Sequence, residues 1–227
     1  MTNAKSCLSP EGTCLIDHLE VNMTAFGRAD YPNSLIEQIR RELPKVFIRV
    51  WDNSPFEQKI LGADEVRWNR FNPSLSRVWN WAIGQSSSLW TLIANDDISL
   101  DPNWLLDLNL DVSNFPLSLW HGPSRFFLFH RSLLGAVGWF DERMNGFTYE
   151  DLDYIRRMNA INIHHCYGTR SSLNRNAQSL KKEIVRQCHP HNNSEFMDSK
   201  YGQHKSSEDF EVVPNFSTPD FYPGRTR

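Results

Sequence analysis

Apolar runs alternate with amphipathic segments along most of this chain. The run Leu89–Ala94 is short, nearly continuously apolar and contains β-branched residues, which predicts a strand buried on both faces. Two further strands are predicted over Val46–Trp51 and Glu65–Trp68, and an imperfectly patterned one lies within Cys14–Thr24. Because helical segments separate these strands, the pattern predicts right-handed crossovers and an α/β fold with a parallel sheet flanked by helices.

Two helices are indicated between these strands. Capping chemistry at Tyr31–Ser34 precedes apolar positions with helical spacing, and Pro44 ends that helix. The segment Leu75–Gln85 carries its apolar residues on one face, and a further helix is expected after Asp101-Pro102. The second half of the chain is less regular, with these expectations: strands over Leu117–His121, Arg125–His130 and Ile161–Cys166, and helical segments over Arg131–Val137, from Glu150, near Gln178–Cys188 and around Ser194–Tyr201.

The expected organisation is a single domain. Residues 1–13 read as a leader, 14–205 as the domain, and 206–227 as an irregular polar tail. Within the domain, about 14–110 has the pattern of the nucleotide-binding half of a doubly wound sheet, and about 111–205 forms a less regular second half.

Net charge, apolar run lengths and cysteine spacing exclude some classes of protein. The 227 residues carry a formal net charge of −3, which argues against a nucleic-acid binder. No apolar run approaches the roughly 20 residues of a membrane span, and the first ten residues lack a secretory signal. The four cysteines show no metal-site spacing and indicate reduced thiols, with a loop disulfide between Cys7 and Cys14 as the alternative. Reduced thiols lead us to expect a cytoplasmic protein, either free or peripheral to a membrane.

Two adjacent carboxylates, Asp96 and Asp97, follow the buried run. Side by side they repel, so a cation or a set of hydrogen-bond donors is expected there. Ligands of open α/β sheets bind at the carboxyl ends of the strands, which favours a divalent metal and a nucleotide sugar-phosphate at this position. The structural alternative is that one aspartate caps the following turn and the other is solvated.

A second acidic pair, Glu150-Asp151, opens a predicted helix. Acidic residues are favoured in a first helical turn, and Thr148 with Asp151 has the spacing of a capping box. The functional alternative is that one carboxylate faces the same crevice as Asp97 and takes a proton from an incoming hydroxyl.

Four segments together resemble GT-A-fold glycosyltransferases similar to family 2, over roughly residues 20 to 166. They are Asn72 with Asn80, Leu92–Ile98 with Asp101–Leu105, Gly138–Arg143, and Gly146–Arg157. The resemblance implies a nucleotide-sugar donor, in most such enzymes a UDP-sugar, a glycan or glycoconjugate acceptor, and Mn²⁺ or Mg²⁺ bound at Asp97. It implies Asp151 as the base of an inverting reaction, Glu150 beside it, and Trp139 and Phe140 bordering the acceptor cleft. It places the donor against Thr24, Phe26, Arg28, Asp52, Asn53, Asn80, Asn95 and Asp96. It also implies a GT-A fold with a mixed, mostly parallel sheet flanked by helices, in which about 111–205 forms the acceptor half.

The sequence departs from that family at named positions. Asn95 stands where the metal motif usually begins with Asp, and Ser74 replaces a glycine. Beyond Cys166 the resemblance ends, and candidates for a further metal or diphosphate ligand are His189, His191, Lys200 and Lys205. Solvated surface positions are the alternative for those histidines.

Two other functions are alternatives to the glycosyltransferase interpretation of the sequence. A sugar nucleotidyltransferase also places carboxylates and a metal on an α/β sheet, but such enzymes usually carry a basic, glycine-rich phosphate loop, and this chain has none. A carbohydrate-binding module on the same fold, without turnover, is the non-enzymatic alternative. Without a phosphate loop, phosphates bound here need a cation or basic side chains to neutralise them.

Overall fold

A six-stranded sheet organises the computed structural model, which describes residues 18–70, 74–102, 104–105, 108, 120–122, 125–144, 149–166, 171–173 and 193–201. The strands are β1 (Leu19–Ala25), β2 (Phe47–Asp52), β3 (Glu65–Trp68), β4 (Trp90–Asn95), β5 (Ile98–Leu100), β6 (Trp120–His121), β7 (Phe126–His130) and β8 (Ser171–Leu173). The helices are α1 (Asp30–Glu42), α2 (Leu75–Gln85), α3 (Leu133–Ala136), α4 (Glu150–Ala160) and α5 (Ser194–Tyr201).

The strand order of the main sheet is β3-β2-β1-β4-β7-β6. The first four strands pair in parallel, and β7 runs antiparallel to both β4 and β6. The predicted α/β class with a mixed, mostly parallel sheet is therefore confirmed. A second sheet of two strands, β5 and β8, was not predicted from the sequence.

Both faces of the main sheet are covered. Alternate strand residues such as Val21, Ile48 and Leu92 pack with α1 on one face. On the other face, Ile93 and Phe127 pack with α2, α3 and α4. Burial on both faces explains the nearly continuous apolar run of the central strand.

The imperfect pattern of β1 has a structural cause. Its polar residues Glu20, Asn22 and Thr24 alternate with apolar ones but are all buried. Glu20 pairs with the guanidinium of Arg49, and the Asn22 side-chain oxygen accepts the Trp51 indole N–H at 3.0 Å. Glu20 and Asn22 are therefore satisfied by neighbours on β2 rather than by water.

The segment Ile161–Cys166 does not form the predicted strand. It turns at Asn162, which has a positive φ of 58°. At its end, the Cys166 N–H donates to the Trp120 carbonyl of β6, and the Cys166 carbonyl accepts the N–H of Gly122, directly after β6. Its apolar residues Ile161 and Ile163 instead pack against the cluster that contains Tyr154 and Met158 of α4. An apolar alternation was satisfied by helix packing and not by strand pairing.

Two other expectations concern regions outside the described residues: the leader 1–13 with the tail after Ser206, and the helix near Gln178–Cys188. Among the helices that are described, none has the length and apolarity needed to cross a bilayer.

Candidate functional site

The carboxyl ends of β1, β2 and β4 meet at one edge of the sheet and bring polar residues from three parts of the chain together. The strand register pairs Thr24 with Asn95, and Ala25 with Asp52. The two aspartates that follow β4 therefore lie beside the loop that follows β1. This is the edge at which open α/β sheets bind ligands.

Hydrogen bonds join the ends of β1 and β4. The Thr24 hydroxyl donates to the Asn95 side-chain oxygen at 2.7 Å, and the Asp96 backbone N–H donates to the Thr24 carbonyl at 3.0 Å. The Asp96 carboxylate accepts the backbone N–H of Phe26 at 2.9 Å and is 1% exposed. Asp96 thus fixes the loop after β1, and Thr24 and Asn95 are held beside it.

Asp52 organises the loop after β2. Its two oxygens accept the backbone N–H groups of Ser54 at 3.0 Å and Gln58 at 2.9 Å, and the residue is fully buried. The Ser54 hydroxyl in turn accepts the N–H of Gly27, which ties this loop to the one after β1. Next to Asp52, the Asn53 side-chain oxygen is buried and has no hydrogen-bond partner within the described structure.

Asp97 combines burial with an unused oxygen. Its side chain is 6% exposed, Oδ2 accepts from the Arg125 guanidinium at 2.7 Å, and Oδ1 is buried without a hydrogen-bond partner among the described residues. A buried polar atom without a partner is destabilising by about 1–3 kcal/mol. An oxygen of this kind is a suitable ligand for a hard divalent cation.

A single carboxylate does not make a complete metal site. Within the part of the chain that is described, no cluster of three or more histidine, cysteine or acidic residues could hold a metal ion. His189, His191 and Lys205, candidates for a further ligand, lie outside that part. The fit of a metal therefore depends on Asp97 Oδ1, with the remaining ligands expected from a diphosphate and water.

The last turn of α4 lies toward the opposite edge of the sheet. Arg157 donates to the carbonyls of Val137 and Trp139, each at 2.9 Å, directly after α3. The α3 segment follows the end of β7, which lies beside the start of β4 because His130 pairs with Trp90. Arg157, in the last turn of α4, therefore lies near the amino-terminal end of β4.

The segment between α3 and α4 contacts α2 through hydrogen bonds and an ion pair. Glu142 pairs with Arg77 in the first turns of α2 at 3.3 Å and accepts from Asn80 at 2.9 Å. Asn80 also exchanges two hydrogen bonds with the Phe140 backbone, at 3.0 and 2.9 Å, and is 1% exposed. Asn80, predicted to contact the donor, is engaged in holding this segment. Phe140 is fully buried in the core, whereas Trp139 is only partly buried.

Glu150 and Asp151 differ in environment. Glu150 is 3% exposed, and burial raises the pKa of its carboxyl to about 8, with the neighbouring Asp151 charge acting in the same direction. Asn193 donates to Glu150 at 3.3 Å. Asp151 is only partly buried. A mostly protonated carboxyl beside a more accessible one gives the two residues different capacities for proton transfer.

The helix start differs from the capping-box alternative, whose Thr148 lies outside the described residues. The N-cap residue is Tyr149 rather than Thr148, has a left-handed φ of 72° and makes no side-chain capping hydrogen bond. A positive φ is costly for an aromatic residue and persists only where surrounding contacts impose it. Tyr149 packs against the cluster of Met144, Met197 and Tyr201.

A buried charge cluster, which sequence reasoning missed, fixes α5 onto α4. Lys200 of α5 bridges Asp141 at 2.7 Å and Asp153 at 2.5 Å. Asp153 also pairs with Arg157 at 3.0 Å and accepts from the Tyr201 hydroxyl. Lys200, a candidate diphosphate ligand from the sequence, is here a structural cation. The spacing of four residues between Asp153 and Arg157 could have indicated their ion pair from the sequence. Lys200, however, is 47 positions from Asp153, so no local pattern connects the two.

Arg28 lies at the surface of the loop after β1. Its guanidinium pairs with Asp30 at 2.6 Å, both side chains are about half exposed, and it lies over the Tyr31 ring. The structure gives it no hydrogen bond to the strand-end residues described above, whereas Phe26 contacts Asp96 directly through its backbone.

Comparison with known proteins identifies solved structures with a similar fold. No protein-family model and no curated protein matches the chain. Among solved structures, S. aureus TarS aligns with a TM-score of 0.54 at 12% identity over 75% of this chain and 38% of its own. Glucosyl-3-phosphoglycerate synthase from Mycobacterium tuberculosis, solved with Mn²⁺, UDP and phosphoglyceric acid, aligns with a TM-score of 0.54 at 11% identity over 75% of each chain. GalNAc-T7 with UDP, GalNAc and Mn²⁺ aligns with a TM-score of 0.53 at 10% identity over 67% of this chain and 42% of its own.

These likenesses confirm the resemblance at the level of fold: the sheet and its helices have the architecture of GT-A-fold glycosyltransferases. The chain spans well under half the length of TarS and GalNAc-T7 and about three quarters of the synthase. At 10–12% identity the shared property is architecture, because one fold supports different chemistries.

Proposed function

We propose that this protein is a divalent-metal-dependent, inverting glycosyltransferase. It moves a sugar from a nucleoside diphosphate sugar, most suitably a UDP-sugar, to a hydroxyl of a glycan or glycoconjugate. The observation that carries the proposal is the buried, unpartnered Oδ1 of Asp97 at the carboxyl edge of a GT-A-type sheet. Neighbours of this fold were solved with UDP and Mn²⁺, which supports the donor class.

The strand-end loops would bind the nucleotide. Asp96 holds the loop after β1 through the Phe26 N–H, and Asp52 holds the loop after β2 through two backbone amides. The base and ribose would then contact the loops that these two carboxylates shape, including Thr24, Arg28 and the unpaired oxygen of Asn53. Rigid loops of this kind lower the entropic cost of positioning a donor.

Asp97 would hold Mn²⁺ or Mg²⁺. Such a cation neutralises the diphosphate and favours its departure as a leaving group. Asp151, at the start of α4, would take the proton of the acceptor hydroxyl on the side of the sugar opposite the diphosphate, which inverts the configuration of the anomeric carbon. Glu150 would keep its proton near neutral pH and hydrogen-bond the acceptor or sugar, because burial raises the pKa of its carboxyl to about 8.

The test is incubation of the protein with a panel of UDP- and GDP-sugars, with and without Mn²⁺, while released nucleoside diphosphate is measured. Slow hydrolysis of one donor that requires Mn²⁺ and is lost in Asp97→Asn is expected. Asp198→Asn is the matched control, because Asp198 is an exposed aspartate of α5. Pyrophosphate exchange instead would identify a nucleotidyltransferase, and sugar binding without turnover would identify a carbohydrate-binding module.

A further inference from the structure

The site that would receive a diphosphate already contains a half-exposed arginine. Arg125 immediately precedes β7, and its carbonyl accepts the backbone N–H of Asn95 at 2.9 Å. Its main chain is therefore fixed to the end of β4. Its guanidinium reaches Asp97 Oδ2 at 2.7 Å and its side chain is 43% exposed.

The two members of the ion pair between Arg125 and Asp97 differ in how deeply they are buried. Asp97 is buried and needs a positive partner, because an uncompensated buried carboxylate is strongly destabilising. Arg125 is half exposed, and a guanidinium has five N–H donors in a planar fork that matches phosphate oxygens. The arginine can therefore exchange its partner at little cost, provided that another cation compensates Asp97.

The other candidate groups for binding a phosphate are absent from the sequence or already engaged. There is no glycine-rich loop whose backbone amides could bind phosphate. Lys200, the other candidate cation within the described structure, is engaged by two buried carboxylates. Arg28 is paired with Asp30 on the surface. Of these three cations, Arg125 is the one that contacts the candidate metal ligand.

We propose that Arg125 is a diphosphate-binding residue that compensates Asp97 in the absence of donor and turns to the donor phosphates when a divalent cation binds Asp97. This inference rests on the proposed function. It makes two linked statements: Arg125 opposes binding of the metal alone, and it favours binding of metal and nucleotide together. A residue that only maintained the loop would affect both in the same direction.

The test is calorimetric titration of Mn²⁺ alone, and of UDP or GDP in saturating Mn²⁺, into the wild-type protein and Arg125→Gln. Loss of a charged hydrogen-bond donor should weaken nucleotide binding about 10- to 100-fold. Removal of the competing positive charge should strengthen Mn²⁺ binding about tenfold. Arg125→Lys keeps the charge but loses the fork, so it should fall between the wild type and Arg125→Gln for nucleotide.

Arg131→Gln is the matched control. Arg131 immediately follows β7 as Arg125 precedes it, and its side chain donates to the Ser86 carbonyl at the opposite edge of the sheet. It loses the same charge and should leave both affinities unchanged. Nucleotide binding by Arg125→Gln equal to wild type, or weaker binding of both ligands, would overturn the inference alone. Absence of nucleotide binding by the wild-type protein would overturn the proposed function as well.

Discussion

Replacement of Glu150 by Gln tests the electrostatics at the start of α4. The amide has the shape of the carboxyl and keeps an oxygen that can accept from Asn193. It cannot ionise. The variant therefore removes the titration of one buried group and changes little else.

The magnitude follows from the shift in the pKa of Glu150, from 4.5 to about 8. Because the folded-state pKa is raised, the folded protein binds this proton more tightly than the unfolded chain. The free energy of unfolding of the wild type therefore falls as the pH rises from about 4.5 to about 8, by up to about 1.4 kcal/mol per pH unit. Below that window the group is protonated in both states and contributes no pH dependence.

Urea unfolding of the wild type and Glu150→Gln should be compared at pH 5, 6, 7 and 8. The variant should gain stability relative to wild type by about 1 kcal/mol or more per pH unit. Glu195→Gln is the control, because Glu195 lies exposed on α5, and its curve should run parallel to that of the wild type. A constant offset between Glu150→Gln and wild type across this range would refute the assignment of a buried, protonated carboxyl.

Three further changes test other parts of the account. Gly122→Ala should lower the free energy of unfolding, measured with urea, by more than about 2 kcal/mol, because its φ is +113° and a Cβ would lie 2.3 Å from the Phe126 carbonyl oxygen. Gly135→Ala is the control: its Cβ would enter open space on α3, so this change should be neutral or slightly stabilising. Lys200→Met should lower the free energy of unfolding by about 3–5 kcal/mol, because Asp141 and Asp153, which keep Arg143 and Arg157, each lose a buried charged hydrogen bond. Lys59→Met at an exposed position should change it by less than about 0.5 kcal/mol, and equal effects of the two variants would contradict a stabilising role of the cluster. Asp151→Asn should keep UDP affinity and lower sugar transfer about 10²- to 10⁴-fold in single-turnover assays, and near-normal transfer would remove Asp151 from the role of base.

The regular elements were predictable because local periodicity and tertiary burial agree in them. The bounds of β3, α2 and α5 were expected as the structure has them, and those of β2 and β4 within one residue. The short strands β5 and β8 were not, because a three-residue strand is defined by its distant partner and not by its own pattern. The segment Ile161–Cys166 was wrong for the same reason: its alternation carries no information on whether a partner strand or a helix covers it.

The position of the candidate site could be predicted from the sequence, but its hydrogen bonds and ion pairs could not. An Asp-Asp pair after a buried strand located the carboxyl edge, since parallel strands must end together there. The use of each oxygen depends on residues far along the chain: Asp96 meets Phe26, and Asp97 meets Arg125. Asn80 illustrates the limit, because the family resemblance assigned it to the donor while its amide is engaged by the Phe140 backbone.

A crystal structure of the protein with Mn²⁺ and its hydrolysed donor, or UDP in its place, tests the central claim most directly. The account predicts a metal ligated by Asp97 Oδ1, diphosphate oxygens at the carboxyl edge of β1 and β4, and a sugar position bordered on its other side by Asp151. Nucleotide bound elsewhere, or Asp97 and Asp151 on opposite faces of the sheet, would contradict it.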